Sequence, residues 1–455
     1  MITAARPAWR AEAAATLGLA WPIVLTNLSQ MAMALTETLL LGQVGTEALA
    51  AGILGSSLYF ALIAPAFGLA LAAAPLLALA RGEGRRAGAA GRGWVREMRR
   101  GARAALWACA IASVPSGILL WHAGPLLVAL GQDAALAALA QDYTRAALWG
   151  LPGFCAFVVL RGFLAAMERP AAAMWISLAA VALNMPIAWV LIFPAGLGVA
   201  GAGIAATVAD TGIFLALLAV VLRDRAFRRF HIFGRIWRPD LPRLARVFAL
   251  GLPIAASLLL EIGLFTAAAL AMGWFDAVAV AGHAIAVQTA SITFMVPMGI
   301  GQAATARVGL AAGAGDRAGA ARAGWVAIGL GAGFMAAMAG VLVLGAATIA
   351  RLFIDPADPQ AAEVRALGAT LLVMAGVFQL ADGVQVVAAG ALRGLADTRV
   401  PMVFAAVGYW GLAFPAGLAL GFWAGLGPVG IWAGLAIGLA AVAVPMTARW
   451  RRLSA

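Results

Sequence analysis

Apolar residues run along this chain in long, nearly unbroken stretches, with neither the alternation of strands nor the narrow stripe of a surface helix. Gly, Pro and Arg punctuate them into twelve runs: residues 14–41, 48–80, 102–120, 134–163, 170–192, 199–222, 244–272, 277–312, 318–349, 364–392, 400–422 and 429–448. A bilayer core takes roughly 20 apolar residues as one helix. Only helices and closed barrels satisfy every backbone polar group in lipid. The runs are continuous and rich in Leu, Ala, Ile and Met, which predicts helices. The expected fold is therefore all-α integral membrane, with about twelve transmembrane helices. The longest runs exceed what a bilayer needs and predict tilt or extension beyond it. The first run, behind Arg6 and Arg10, is much longer than a signal-peptide core of about 7–15 residues, so it is expected to be a retained span.

Composition agrees. The chain has 455 residues, 64% hydrophobic and only 11% charged, with a mean hydropathy of +0.97; a soluble protein carries about 25% charged residues. The net charge of +12 could suggest nucleic acid, but its placement points to a membrane. All 31 basic residues are Arg, clustered in short loops between apolar runs, as in Arg85, Arg86, Arg96 and Arg99. Only Arg145, Arg351 and Arg365 fall on the opposite side, so the arginine-rich face, with both termini, is expected to be cytoplasmic. The most hydrophilic stretch, 223–243, is expected to be a basic cytoplasmic linker between an N-lobe (1–222) and a C-lobe (244–455). Its charge is read as a topology signal rather than a lipid-headgroup site. Cys109 and Cys155 lie inside apolar runs and imply packing, not a disulfide. The Ala- and Arg-rich, Lys-free composition suggests a GC-rich bacterium, hence its inner membrane.

The two lobes repeat one pattern. Leu17-Gly18-Leu19-Ala20-Trp21-Pro22 recurs as Leu250-Gly251-Leu252-Pro253, with the prolines 231 positions apart. Gly82 and Gly313, and Pro170 and Pro401, share that spacing. Ala51-Gly52 with Ala281-Gly282, and Gly196-Leu197-Gly198 with Gly425-Leu426-Gly427, fall within two positions of it. Six spans per lobe make a parallel repeat, related by an axis along the membrane normal. Such lobes transport by alternating access, and one chain supplies both, so a monomer is expected.

Ionisable residues inside spans are costly, about 2.5–3.5 kcal/mol each at mid-span, and usually functional. Four acids qualify: Glu37, Asp210, Glu261 and Asp382. No arginine is expected near mid-span to neutralise them, which suits cations or protons. None has an acidic twin in the repeat, so each belongs to one lobe. Glu261 and Asp382 sit near the midpoints of spans seven and ten of the same lobe, at depths within about 10 Å by helical rise. Two carboxylates at one depth can exchange a proton or bind Na⁺ through oxygens. Asp210 has the alternative of a hydrogen bond to a neighbouring helix. Asn184, beside Pro186, either satisfies a freed carbonyl or lines a cavity. His283 is expected to be a packed residue.

Without lysine there is no Walker A sequence, and no His, Cys and carboxylate cluster has metal-ligand spacing. No enzymatic constellation appears and no cofactor is expected. A gradient must supply the energy, about 2.3 kcal/mol per charge per 100 mV.

The stretches Ala281-Gly282-His283, Phe294-Met295-Val296-Pro297 and Arg307-Val308-Gly309, with Gln379-Leu380-Ala381-Asp382-Gly383-Val384-Gln385 and Leu392-Arg393-Gly394, resemble the multidrug and toxic compound extrusion family in its NorM-like branch. The resemblance covers nearly the whole chain. It implies twelve helices in two lobes and export of lipophilic cationic drugs or toxins in exchange for Na⁺ or H⁺. It places a cation site on Glu261 and Asp382, with Phe378 one turn before the aspartate as a possible cation–π ring. An amino-lobe site would involve Glu37 and Asn184. Relatives commonly have an aspartate where Glu37 stands, a glutamine where Ala284 stands and a polar residue where Ala188 stands, which favours the carboxy-lobe pair. Asp210 does not transfer from the family. The nearest alternative is a lipid-linked oligosaccharide flippase of the same superfamily. Such flippases usually carry fourteen spans and cavity-facing basic residues, whereas twelve spans and no mid-span arginine are expected here.

Overall fold

A computed structural model describes residues 5–87, 93–234, 236–355 and 359–455. Arg92 and Arg235 lie outside the described residues. Among the described residues, twelve helices are long and apolar enough to cross a membrane: Ala8–Val44, Thr46–Ala87, Gly93–Trp121, Ala134–Ala166, Ala171–Ile192, Gly198–Arg223, Leu241–Gly273, Ala277–Gly313, Arg317–Phe353, Ala361–Gly394, Arg399–Trp423 and Gly427–Ser454. They are spans one to twelve below. The protein is an all-α, multi-pass membrane protein. The helices match the apolar runs but overshoot several of them, because arginine-bearing segments expected as loops continue the helix. Span three begins at Gly93 and carries Arg96, Arg99 and Arg100 in its first turns.

Three spans are not uniform helix. Span two breaks into Thr46–Leu71 and Ala73–Ala87. Span four passes through a 3₁₀ turn at Leu148–Gly150, where Pro152 supplies no backbone donor. Span eleven contains two π-helical stretches, Val407–Ala413 and Ala419–Trp423, on either side of Phe414–Leu418. Pro415 interrupts the normal bonding ladder there, and π turns accommodate such a gap.

The chain forms two compact units. One comprises Leu25–Ala256; the other comprises Met1–Val24 and Ser257–Ala455. The divisions therefore fall inside spans one and seven, not in the 223–243 segment. Both lie just beyond the repeat prolines, Pro22 and Pro253, each inside its helix. In the Leu25–Ala256 unit, a Cβ at Gly68 would stand 2.5 Å from the backbone nitrogen of Ala255. In the other unit, a Cβ at Gly299 would stand 3.1 Å from the nitrogen of Val24 and 2.4 Å from its Cγ2. Glycine in spans two and eight thus lets spans seven and one approach to backbone contact. Gly68 and Gly299 are 231 positions apart, the spacing of the repeat.

The segment after span six is more than a charged strand of chain. Phe227, Phe230 and Ile232 are buried, and Phe227 and Phe230 set their rings edge-on to Phe163. Arg103 donates to the carbonyls of His231 and Ile232, and Trp107 donates to that of Ile236. At its end Asp240 accepts hydrogen bonds from Arg100 and Arg243. Partial burial pushes the Asp240 carboxyl up, but the two guanidinium groups outweigh it and hold it below the usual carboxylate range. These contacts dock the segment onto the Leu25–Ala256 unit.

Candidate functional site

Each unit gathers acids on its own helices. In the Leu25–Ala256 unit, span one carries Glu37, span five Asn184 and span six Asp210. Glu37 and Asn184 are buried and Asp210 is half-buried. Tyr143 of span four donates a long hydrogen bond of 3.5 Å to Glu37 Oε2. Glu37 also lies within the electrostatic reach of Asp210. Asp210 sits over Gly150, where a Cβ would come within 3.3 Å of its Oδ2; the 3₁₀ turn of span four and its glycine make that room. Asn184 stands beside Glu37, its side-chain amide within reach of the carboxylate, although neither of its buried amide atoms makes a hydrogen bond of good geometry among the described residues. The side chain therefore does not repair the ladder broken by Pro186.

In the second unit, Glu261 on span seven and Asp382 on span ten lie close enough for their charges to interact. Asp382 is 7% exposed and Glu261 half-buried. Phe378, one turn before Asp382, is buried. Its ring stands edge-on to Phe265 at 5.9 Å and to Trp432 at 5.5 Å. Trp432 in turn donates its Nε1–H to Nδ1 of His283 at 3.2 Å. The histidine is thus a packed acceptor in an aromatic cluster. Beside it, Gln379 accepts from Thr293 at 2.9 Å and leaves Nε2 unpaired, as Gln385 leaves Oε1.

Two arginines sit deeper in the helices than loop residues would, though neither at mid-span. Arg393, in the last turn of span ten, exerts its charge on Glu261. Arg161 is 5% exposed in span four and donates to Asn27 Oδ1 at 2.9 Å. Both lie near the ends of apolar runs in the sequence, where loop and helix arginines look alike. Tyr59, Tyr143 and Tyr409, absent from the expected set, also stand in the field of the acids. A tyrosine in an apolar run gives no sign of its neighbours. No group of three His, Cys, Asp or Glu gathers into a metal-ligand set among the described residues. What each unit offers is a pair of carboxylates amid aromatic and amide groups. That donor set suits a proton, a hard monovalent cation held by oxygen, or an organic cation.

The MatE family pattern matches residues 22–190 and 253–418, starting on the repeat proline each time. The chain is 47% identical over 449 residues to a Mesorhizobium japonicum protein named "Probable multidrug resistance protein NorM", covering 98% of this chain and 94% of that one. It is 43% identical to a Brucella suis protein of the same name, with the same coverage. Among solved structures, the fold is similar to the eukaryotic MATE transporter AtDTX14, with a TM-score of 0.87, 19% identity and 98% of both chains covered. It is also similar to the Vibrio cholerae MATE transporter VcmN in its bent form, with a TM-score of 0.84, 19% identity and the same coverage.

Proposed function

The chain belongs to the MatE family of membrane transporters, on its NorM-like branch, and from that premise we propose that it is a multidrug efflux antiporter. It exports lipophilic organic cations in exchange for Na⁺ or H⁺ by alternating access of two lobes. It acts as a monomer in a bacterial inner membrane, with both termini cytoplasmic, and uses no cofactor beyond the coupling ion. The observation that carries this reading is the pairing of Glu261 with Asp382 inside one apolar unit. Two carboxylates there attract a cation or proton, and the charge of a single Arg393 does not neutralise both.

The coupling ion is assigned to Glu261 and Asp382, with Phe378 shaping the wall. Glu37, Asn184 and Asp210 form a second polar centre in the other unit. The test is ethidium efflux from reconstituted vesicles under an imposed Na⁺ or H⁺ gradient, with wild type, Glu261→Gln and Asp382→Asn. Export by wild type and its loss in both folded variants supports the antiporter and its site. Transport by both variants at the wild-type rate moves the site to Glu37 and Asp210. Buried Arg161 and half-buried Arg393 keep a lipid-linked oligosaccharide flippase as the second reading, since an anionic pyrophosphate needs such groups. Binding of a lipid-linked pyrophosphate, with no ethidium export under either gradient, favours it.

A further inference from the structure

The chain has only three tyrosines, and all are buried. Tyr59 and Tyr143 stand in the field of Glu37 and Asp210. Tyr409 stands in the field of Glu261, Asp382 and Arg393. Its phenol oxygen is buried and has no hydrogen-bond partner among the described residues. A buried hydroxyl left unpaired costs free energy, and such groups often mark sites with a role beyond packing.

The backbone explains how Tyr409 comes to lie there. It belongs to the π-helical stretch Val407–Ala413 of span eleven. A π turn rotates the side chains that follow it out of ordinary helical register, and such bulges recur at functional sites. The next residue fixes the segment to span seven. Trp410 donates its Nε1–H to the carbonyl of Leu260 at 3.1 Å, the residue before Glu261. Gly263 makes room for the indole, since a Cβ there would lie 3.1 Å from Trp410 Cζ2. Behind the segment, Gly408 lies against Val442 and the Gly438 carbonyl, the latter 3.1 Å from where its Cβ would be. Span eleven is thus pinned to span seven beside Glu261 and to span twelve behind, on either side of Tyr409 in sequence.

We propose that Tyr409 is a further ion-binding residue of the Glu261–Asp382 site, its hydroxyl providing the neutral oxygen that completes the carboxylate pair around the coupling ion. This inference rests on the antiporter reading and deepens it. A hydroxyl is both acceptor and donor. It accepts toward Na⁺ through its lone pair, or donates its hydrogen to whichever carboxylate is ionised when the other holds a proton.

The test is the concentration of coupling ion giving half-maximal ethidium efflux in reconstituted vesicles. Tyr409→Phe keeps the ring and removes the oxygen. The expected result is a half-maximal concentration raised about tenfold, the scale of one hydrogen bond to a charged group, with the maximal rate retained at saturating ion. A half-maximal concentration equal to that of wild type overturns the proposal. If Glu261→Gln and Asp382→Asn also behave as wild type, the site assignment itself fails. If they lose transport while Tyr409→Phe does not change, only the tyrosine is wrong. Should Tyr409→Phe misfold, infrared difference spectra of ring-labelled tyrosine decide the matter. In a Tyr59→Phe, Tyr143→Phe background Tyr409 is the sole reporter. Its C–O stretch is expected to shift on loading the coupling ion and to stay still in Glu261→Gln; a silent band in both overturns the proposal.

Discussion

Glu12 and Arg243 occupy the same place in the two halves of the repeat, 231 positions apart, and carry opposite charges that each end in a forked ion pair. Arg307 sends Nε and Nη2 to the two oxygens of Glu12, both at 2.8 Å. Arg243 sends Nε and Nη2 to Glu97, and Nη1 to Asp240 at 2.9 Å. Each acid or base sits ten positions before its proline, Pro22 or Pro253. The first part of each divided helix is therefore fastened to its unit twice: by an ion pair near its start and by a glycine contact near its proline.

Removing one fastening has a calculable effect. Glu12→Gln keeps the side chain's shape and loses the charge, so it is expected to destabilise the protein by about 1.5–3 kcal/mol, the range for hydrogen bonds to charged groups. Arg307→Ala is expected to cost more, because the arginine makes further contacts. Exchanging the charges in Glu12→Arg with Arg307→Glu should restore only part of the loss. Thermal unfolding in detergent, followed by tryptophan fluorescence, checks the order of the three.

The two glycine contacts are predicted to differ. At Gly68 the obstacle to a Cβ is backbone, the Ala255 nitrogen at 2.5 Å and its Cα at 2.6 Å. Overpacking of that kind costs about 1–3 kcal/mol, more than the ~1 kcal/mol that alanine gains over glycine in a helix. At Gly299 the Val24 nitrogen and Cα stand farther off, at 3.1 and 3.2 Å, and the nearest atom is a methyl of a β-branched side chain that is stiff at χ1. Both Gly68→Ala and Gly299→Ala should therefore lower the melting temperature, Gly68→Ala by more. Equal losses would show that Val24 is as immovable as backbone.

In the Leu25–Ala256 unit, Glu37 and Asp210 feel each other's charge, so their removal is not expected to add. Efflux by Glu37→Gln, Asp210→Asn and the double variant forms a cycle. A coupling of about 1 kcal/mol between neighbouring groups is expected, the double variant being less impaired than the product of the singles. Strict additivity would mean that Asp210 acts apart from Glu37.

Docking of the 223–243 segment should depend on acidity. Asp240 has a carboxyl held below the ordinary range by Arg100 and Arg243. A depressed carboxyl stabilises the fold above its unfolded pKa of about 3.9. That contribution fades as pH falls through the lower folded value. Asp240→Asn should accordingly melt below wild type near neutral pH, and the gap should close as the solution is acidified. Melting curves of the two proteins across the acid range test this, and a constant gap would remove the linkage.

Hydropathy alone was enough to locate the twelve spans and the four embedded acids, because both signals are local. Which unit a helix packs against is not local. The division of spans one and seven rests on contacts such as Gly68 with Ala255, made between residues nearly two hundred positions apart. Sequence order does not show how far an apolar neighbourhood encloses Arg161 and Arg393, which lie near span ends. The surroundings of Tyr409 are hidden for a related reason: they depend on the π-helical stretch it belongs to and on Trp410 bonding to span seven. Charge points to a boundary at 223–243, whereas the two compact units divide just beyond Pro22 and Pro253.

The divided helices also bear on where the chain could be cut. Residues 1–24 complete the unit built from the second half, and residues before Ser257 complete the unit built from the first. Neither half of the sequence therefore holds the whole of one unit, and the two stretches that cross over are those that carry Glu12 and Arg243. A six-span half expressed alone lacks the leading segment its own unit needs.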